Sequence, residues 1–523
     1  MLSRLTGKIT YQNLIFTGYL GLAAGLPLSK IVLSLSTIWI LLFTLLAADF
    51  GTYARRFRES RIIQLLFVFL ALHLLSFLWS SDMQYALRDL NAKLPLYVIP
   101  LIFVVQPPAS VKQRYILCGT FLAAMLFTSV FNFGSYLHWW GDRVYDDIRG
   151  MSLFLSHIRY ALMITMSAAI CIVWWQKKLP YKWAGLLSGC WFAFYTYYSQ
   201  ILSGLMTFAG ILVVLLILEV IRRKNKWFTF AVCLAGALFI AAAGFALQAF
   251  FKPEKLKVSL DDLPLATREG NLYLHYRGDK RLENGYPIYY FLCQEEMERE
   301  WNKRSKFPYD SLDGKGQVLE ATLIRYITSK GWRKDAEGVN ALSAKDVKNI
   351  EQGIPTSVKY ETGFYQRLRG LRTELLQQSD PNGYSVSQRF EYWKTGIRII
   401  RKHWMLGVGA GDIDQAFQQQ YVADRSLLFK ENRLRSHNQY ISYTISFGIA
   451  GLLLFGWLLC SSWRCFYRRN MVLGLLFMTI SILSFLVEDT LETQMGVTFF
   501  AFFWGLFISS DRKTDRLSTN QVI

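Results

Sequence analysis

Arginine and histidine gather at the mouths of apolar runs in this sequence. Arg433 and Arg435 lead into His437 and Asn438, which open the run from 438 to 460. Arg389 stands four residues before Trp393 at the start of "RFEYWKTGIRIIRKHWML", and Arg159 follows His157 at the start of another run. A guanidinium binds phosphate through two parallel hydrogen bonds, and beside a membrane that phosphate is a lipid headgroup or a polyprenyl diphosphate. Each arginine taken alone also reads as a side chain snorkelling to the interface. His437, as a neutral imidazole, is suited to take a proton from a hydroxyl; its structural alternative is a helix cap bonded to backbone. Glu488, Asp489 and Glu492 lie in a short link between two apolar runs, where they either orient the histidine, bind acceptor sugars, or form a solvated turn.

Other chemistry is less well supported. "LGVGAGDID", residues 406–414, has neither a strand before it nor a crossover unit after it, as a dinucleotide fold requires. Its glycines predict a tight turn, with Asp412 capping the helix that follows. Asp412 and Asp414 would serve a metal only beside a nucleotide domain on the other side of the membrane. The six histidines fall in no His-x-x-x-His pattern, no Cys-x-x-Cys pair occurs, and no Gly-x-Ser-x-Gly elbow is present, so no metal or cofactor is expected.

The elements that must carry these groups follow from composition. With 523 residues, 52% hydrophobic and 16% aromatic, and with charge confined to short clusters, the chain reads as an all-α polytopic membrane protein. The net charge of +20 is spread between apolar runs rather than over one face, which argues against nucleic acid. About twelve segments suit transmembrane helices: 12–28, 30–49, 61–80, 94–106, 114–137, 157–176, 182–201, 203–221, 227–251, 438–460, 471–488 and 494–510. The fourth is short and bounded by Pro95 and Pro107, the pattern of a re-entrant or tilted helix.

Basic clusters fall in every second connection, among them Arg4 and Lys8, Arg55 to Arg61, Arg222 to Lys226, Arg464 to Arg469, and Arg512 to Arg516. By the positive-inside rule both termini are cytoplasmic and the long hydrophilic stretch lies across the membrane. Three regions result: helices 1 to 9 in 1–251, a mainly helical loop domain in 252–437, and helices 10 to 12 with a cytoplasmic tail in 438–523. Within the loop, "LSAKDVKNIEQGI" predicts a helix boxed by Ser343 and Asp346. Phe390, Trp393, Ile397, Ile400 and Trp404 predict one apolar stripe on a helix lying at the membrane surface. Of seven cysteines only Cys293 reaches this loop, so no internal bridge can form there.

From Arg389 to Phe455 the sequence resembles the O-antigen ligase and polymerase superfamily of bacterial membrane glycosyltransferases. The resemblance rests on "RFEYW", "LGVGAG", "SHNQY" and "FGIAGLL", in that order. It implies an inner-membrane, multi-pass enzyme whose site faces the periplasm and whose donor is a glycan on undecaprenyl diphosphate. Its acceptor would be a hydroxyl, chiefly that of lipid A-core as in a ligase, with polymerisation of repeat units or transfer to protein as alternatives; a transporter is the alternative of another class. The implied roles are proton acceptance by His437, diphosphate binding by Arg389, Arg159, Arg433 and Arg435, binding or orientation of the acceptor by Trp393 and Asn438, and inversion at the anomeric carbon without metal. The superfamily often carries Ser-Arg where this chain has Ser203-Gly204, and Arg159 is the substitute for that arginine.

Overall fold

The computed structural model describes residues 10–141, 143, 148–178, 181–252, 256–261, 263–279, 281–358, 381–383 and 385–510. Arg4, Lys8, Arg512, Lys513 and Arg516 lie outside them. The chain is an all-α polytopic membrane protein. It divides into two compact units, Met1–Thr229 with Gln388–Ile523, and Phe230–Ser387.

Every expected span falls on a helix. The helices are α1 (Tyr11–Gly25), α2 (Lys30–Ala47), α4 (Arg61–Leu75), α5 (Met83–Val105), α6 (Val111–Tyr136), α7 (His157–Gln176), α8 (Lys182–Tyr198), α9 (Leu202–Arg223) and α10 (Lys226–Phe250), with a short amphipathic α3 (Phe50–Glu59) in the connection between the second and third spans. Near the C-terminus come α17 (Gln439–Arg468), α18 (Val472–Val487) and α19 (Gln494–Ile508). Among the described residues seven are long and apolar enough to cross a membrane unaided, and α18 and α19 are shorter apolar helices. Small residues let neighbours close up: a Cβ on Gly18, Gly21 or Gly25 of α1 would stand 2.3–2.9 Å from Ile40, Ser36 or Val32 of α2.

The fourth span is longer than its prolines suggest. Asp82 caps α5 by accepting from Tyr85 N at 2.8 Å, and the helix runs through Pro95 and Pro100. Each proline removes one N–H, but the residues around them are buried against α19, where Gly505 leaves room for Pro100 and Phe103. Asp89 and Lys93, which the sequence reading leaves outside the span, therefore lie within this helix, with Lys93 buried.

Further along, α17 is broken. Gly448 has φ +65° and ψ −161°, and the break is filled by the glycine-rich loop. Val408 N–H donates to Ile445 O at 2.7 Å and Gly409 N–H to Ser446 O at 3.1 Å, while Ile449 N–H donates to Trp404 O at 2.8 Å. These bonds satisfy groups that the interrupted helix cannot pair within itself.

Residues 388–437 belong to this helical unit rather than to the domain before it. Here α15 (Ser385–His403) and α16 (Ile413–Ala423) share a core of Tyr392, Ile399, Ile413, Phe417 and Tyr421 with Ile445 of α17. The face of α15 that packs is Tyr392, Thr395, Gly396 and Ile399; of the expected stripe, Phe390, Ile397 and Trp404 stay exposed. An apolar line left open on a helix of a membrane protein suits contact with lipid.

The other unit contains α11 (Gln294–Arg304), α12 (Leu319–Ser329), α13 (Ala336–Asn340) and α14 (Ala344–Glu351), with one two-stranded hairpin of Leu282–Glu283 and Tyr286–Pro287. Its core is built on Trp301, Leu323, Tyr326, Ile327 and Ile350. The Ser343–Asp346 box opens α14 as expected. Cys293 is buried here. Residues 359–380 of the loop lie outside the described residues.

Candidate active site

His437 owes its position to the start of α17. Asn438 is the cap: its side-chain oxygen accepts from Tyr440 N at 3.0 Å and Ile441 N at 3.1 Å, and its amide donates to Leu486 O at 2.9 Å. The capping role that the sequence allows for His437 is thus filled by its neighbour. His437 itself sits at φ +47°, a conformation sparsely populated outside glycine, and its N–H donates to Asp489 Oδ2 at 3.1 Å. Asp489 accepts in turn from Ser442 Oγ at 2.8 Å, so the turn before the helix and the link after α18 are tied together.

That strained turn aims the imidazole. Nδ1 lies 3.5 Å from Glu488 Oε2, longer than a well-formed hydrogen bond but close enough for electrostatic orientation, and the ring centroid is 5.6 Å from that of Tyr392. A carboxylate beside Nδ1 favours a proton there and leaves Nε2 with its lone pair. The side chain keeps 31% exposure, against 7% for Glu488.

Cations surround that carboxylate. Arg159, in the first turn of α7, brings Nη2 to 3.5 Å from Glu488 Oε1. Burial alone would raise the Glu488 carboxyl, yet His437, Arg159 and Arg389 together hold it below its ordinary value. Arg389 and Trp393 are four apart on α15 and so share a face, with Tyr392 between them against His437. Among the described residues, Arg159 Nε, Arg389 Nε, Trp393 Nε1, His437 Nδ1 and Glu488 Oε2 are buried with no hydrogen-bond partner. Each such group costs about 1–3 kcal/mol when left unpaired, and with the proton on Nδ1 four of the five are donors. Donors of this kind fit the oxygens of an anionic ligand.

The Ser203-Gly204 departure has a packing reason. A Cβ on Gly204 would stand 3.0 Å from that of Ala161 on α7, and Thr165 and Thr207 hydroxyls meet at 3.2 Å beneath. Arg159 lies two residues before Ala161 on that opposing helix.

The other expected arginines are engaged by protein. Arg433 Nε donates to Leu428 O at 3.0 Å. Arg435 reaches Asp414 at 2.6 Å, Glu492 at 3.0 Å and the Tyr85 hydroxyl. Glu492 also accepts from Lys93 Nζ at 2.9 Å and Gln439 Nε2 at 2.9 Å, Lys93 pairs with Asp89 at 2.7 Å, and Asp89 faces His73 Nε2 at 3.2 Å. This network through α4, α5, the link and α17 brackets His437 from Arg435 and Gln439 on either side. Sequence reasoning missed Lys93 and Asp89, although their four-residue spacing is the signal of an in-helix pair. Asp412 occupies the cap position of α16 without capping it: its two oxygens accept from Ser81 N at 2.8 Å and Asp82 N at 2.9 Å, tying the loop to the start of α5.

Residues 353–456 match the family model described as O-antigen ligase. No curated protein matches the chain. The matched stretch includes Arg389, Trp393, the glycine-rich loop, His437, Asn438 and the Gly448 break, whereas Arg159, Glu488 and Glu492 lie outside it. That stretch is thus similar to the O-antigen ligase family, which supports the chain's kinship with the O-antigen ligase superfamily.

Proposed function

We propose that this protein moves a glycan from undecaprenyl diphosphate to an acceptor hydroxyl at the periplasmic face of the bacterial inner membrane, joining O-polysaccharide to lipid A-core. What carries the reading is the approach of Arg159 and His437, each with an unpartnered ring or guanidinium nitrogen, to one buried carboxylate that Arg389 also stabilises. His437 Nε2 takes the proton of the acceptor hydroxyl, whose oxygen forms the new bond to the anomeric carbon. As it does, the bond from that carbon to the diphosphate oxygen breaks, and Arg159 and Arg389 meet the charge left on undecaprenyl diphosphate. Glu488 keeps the imidazole in the accepting tautomer and stabilises the imidazolium. With the leaving group neutralised by guanidinium, the step calls for no metal, and attack opposite the leaving group inverts the centre.

The test is transfer from an undecaprenyl diphosphate glycan to lipid A-core in nanodiscs, with His437→Gln beside wild type. Gln keeps a hydrogen bond but cannot accept a proton at neutral pH. Turnover is expected to fall by roughly 10²- to 10⁴-fold with donor affinity unchanged. An active Gln variant removes His437 from the chemistry, and transfer only to repeat-unit or protein hydroxyls reassigns the acceptor.

A further inference from the structure

A second concavity lies at the opposite end of α15 from Arg389. It is an open pocket of about 610 Å³ whose wall includes Trp79, Lys402, His403, Trp404, Gln415 and Gln419. Arg389 and Lys402 are 13 residues apart, which at 1.5 Å each sets the two ends about 20 Å apart along the helix.

Its chemistry is mixed in an informative way. Trp79 Nε1 is buried and, among the described residues, has no hydrogen-bond partner. Lys402 puts positive charge on the rim beside the His403 imidazole; Lys402 gives one hydrogen bond to Gln420 Oε1 at 2.7 Å and keeps two further N–H groups. Two side-chain amides, from Gln415 and Gln419, can pair with hydroxyls as donor and acceptor together. Trp404, Met405 and Leu406 are exposed beside them, an apolar margin fit for acyl chains. Among the described residues Asp412 is the one acidic residue of the wall, and both its oxygens are turned to the backbone N–H of Ser81 and Asp82. Cation, amide, indole and apolar margin together match a phosphorylated sugar headgroup on a lipid better than a plain phosphodiester, which would use neither the amides nor the indole faces.

We propose that this pocket seats the phosphorylated sugar headgroup of the acceptor glycolipid, while the sugars beyond it extend along α15 toward His437. The assignment rests on the transfer reaction proposed above, and deepens it by giving the acceptor an anchor remote from the reacting atoms.

The experiment uses the full chain in nanodiscs and has two arms. In the first, binding of lipid A, its dephosphorylated form and phosphatidylglycerol is measured without donor. Wild type should bind lipid A, and dephosphorylation or the double variant Lys402→Gln, His403→Gln should each weaken binding about tenfold. Trp79→Phe, which keeps a ring and loses the N–H, should weaken it severalfold. Equal binding of phosphatidylglycerol, or unchanged affinity in all variants, overturns the pocket. In the second arm, the same variants should raise the KM for acceptor while kcat and the KM for donor stay at wild-type values. Wild-type acceptor KM in active variants refutes the anchor and leaves the transfer reaction standing. Selective lipid A binding by a wild type that transfers nothing keeps the pocket and refutes the reaction.

Discussion

A buried carboxylate ringed by one imidazole and two guanidinium groups has two ways to reach neutrality: pair them all itself, or leave some to a ligand. Glu488 leaves Arg159 Nε and Arg389 Nε without a hydrogen bond, the two donors that the proposed diphosphate would take up. Arg389→Lys is accordingly the severe conservative change, because an ammonium cannot reproduce the planar fork. Turnover should drop about 10²- to 10³-fold with thermal stability unchanged, measured on one nanodisc preparation; wild-type rates in Arg389→Lys would reduce Arg389 to an anchor of its helix. His437 and Arg389 were legible in the sequence because their order with Trp393 and the glycine loop forms a pattern over one continuous stretch. Glu488 was visible only as one of three acids in a link. Nothing local says which acid turns to the histidine, and it is the caps and bonds of Asn438 and Asp489 that select it.

Elements place these residues through backbone bonds that side-chain patterns do not announce. The Gly-Val-Gly loop reads as a turn from its composition, but its function in the fold is to mend the break in α17 at Gly448. A Cβ at Gly409 would come 2.3 Å from Ser80 Oγ, and its φ of +94° excludes most other residues. Gly409→Ala should therefore lower the melting temperature and activity together, losing more than the ~1 kcal/mol of a simple glycine-to-alanine change in a helix. Full stability in Gly409→Ala would show that the loop does not hold the break. In the other unit Lys334 is 1% exposed, and burial holds its ammonium down to about 7 despite the adjacent Asp335 carboxylate. The unfolded chain keeps that proton up to about 10.4, so between the two values it binds more protons than the folded chain and stability rises with pH. Lys334→Met should raise the melting temperature at pH 7 by a few degrees and flatten its rise toward pH 10, read in a pH series of thermal melts. A pH dependence equal to wild type would remove Lys334 as its source.

For the whole molecule, hydropathy located the spans, and the charge clusters between them supplied an orientation. Lys93 and Asp89 show where hydropathy misleads. A charged pair inside an apolar bundle shortens the apparent span, although the ion pair to Glu492 and the contact of Asp89 with the His73 ring permit its burial. Orientation remains to be tested directly. Cys293, a natural reporter by sequence, is buried at 5% exposure and unsuited to labelling. Asp310→Cys places a thiol on an exposed turn of the same unit. If residues 256–358 face the periplasm, a membrane-impermeant maleimide added to intact spheroplasts should label Asp310→Cys well above the wild-type background, and permeabilisation should add little. Labelling that appears only after permeabilisation would put this unit in the cytoplasm. That outcome would overturn the orientation read from the charge clusters, and with it the proposed transfer at the periplasmic face.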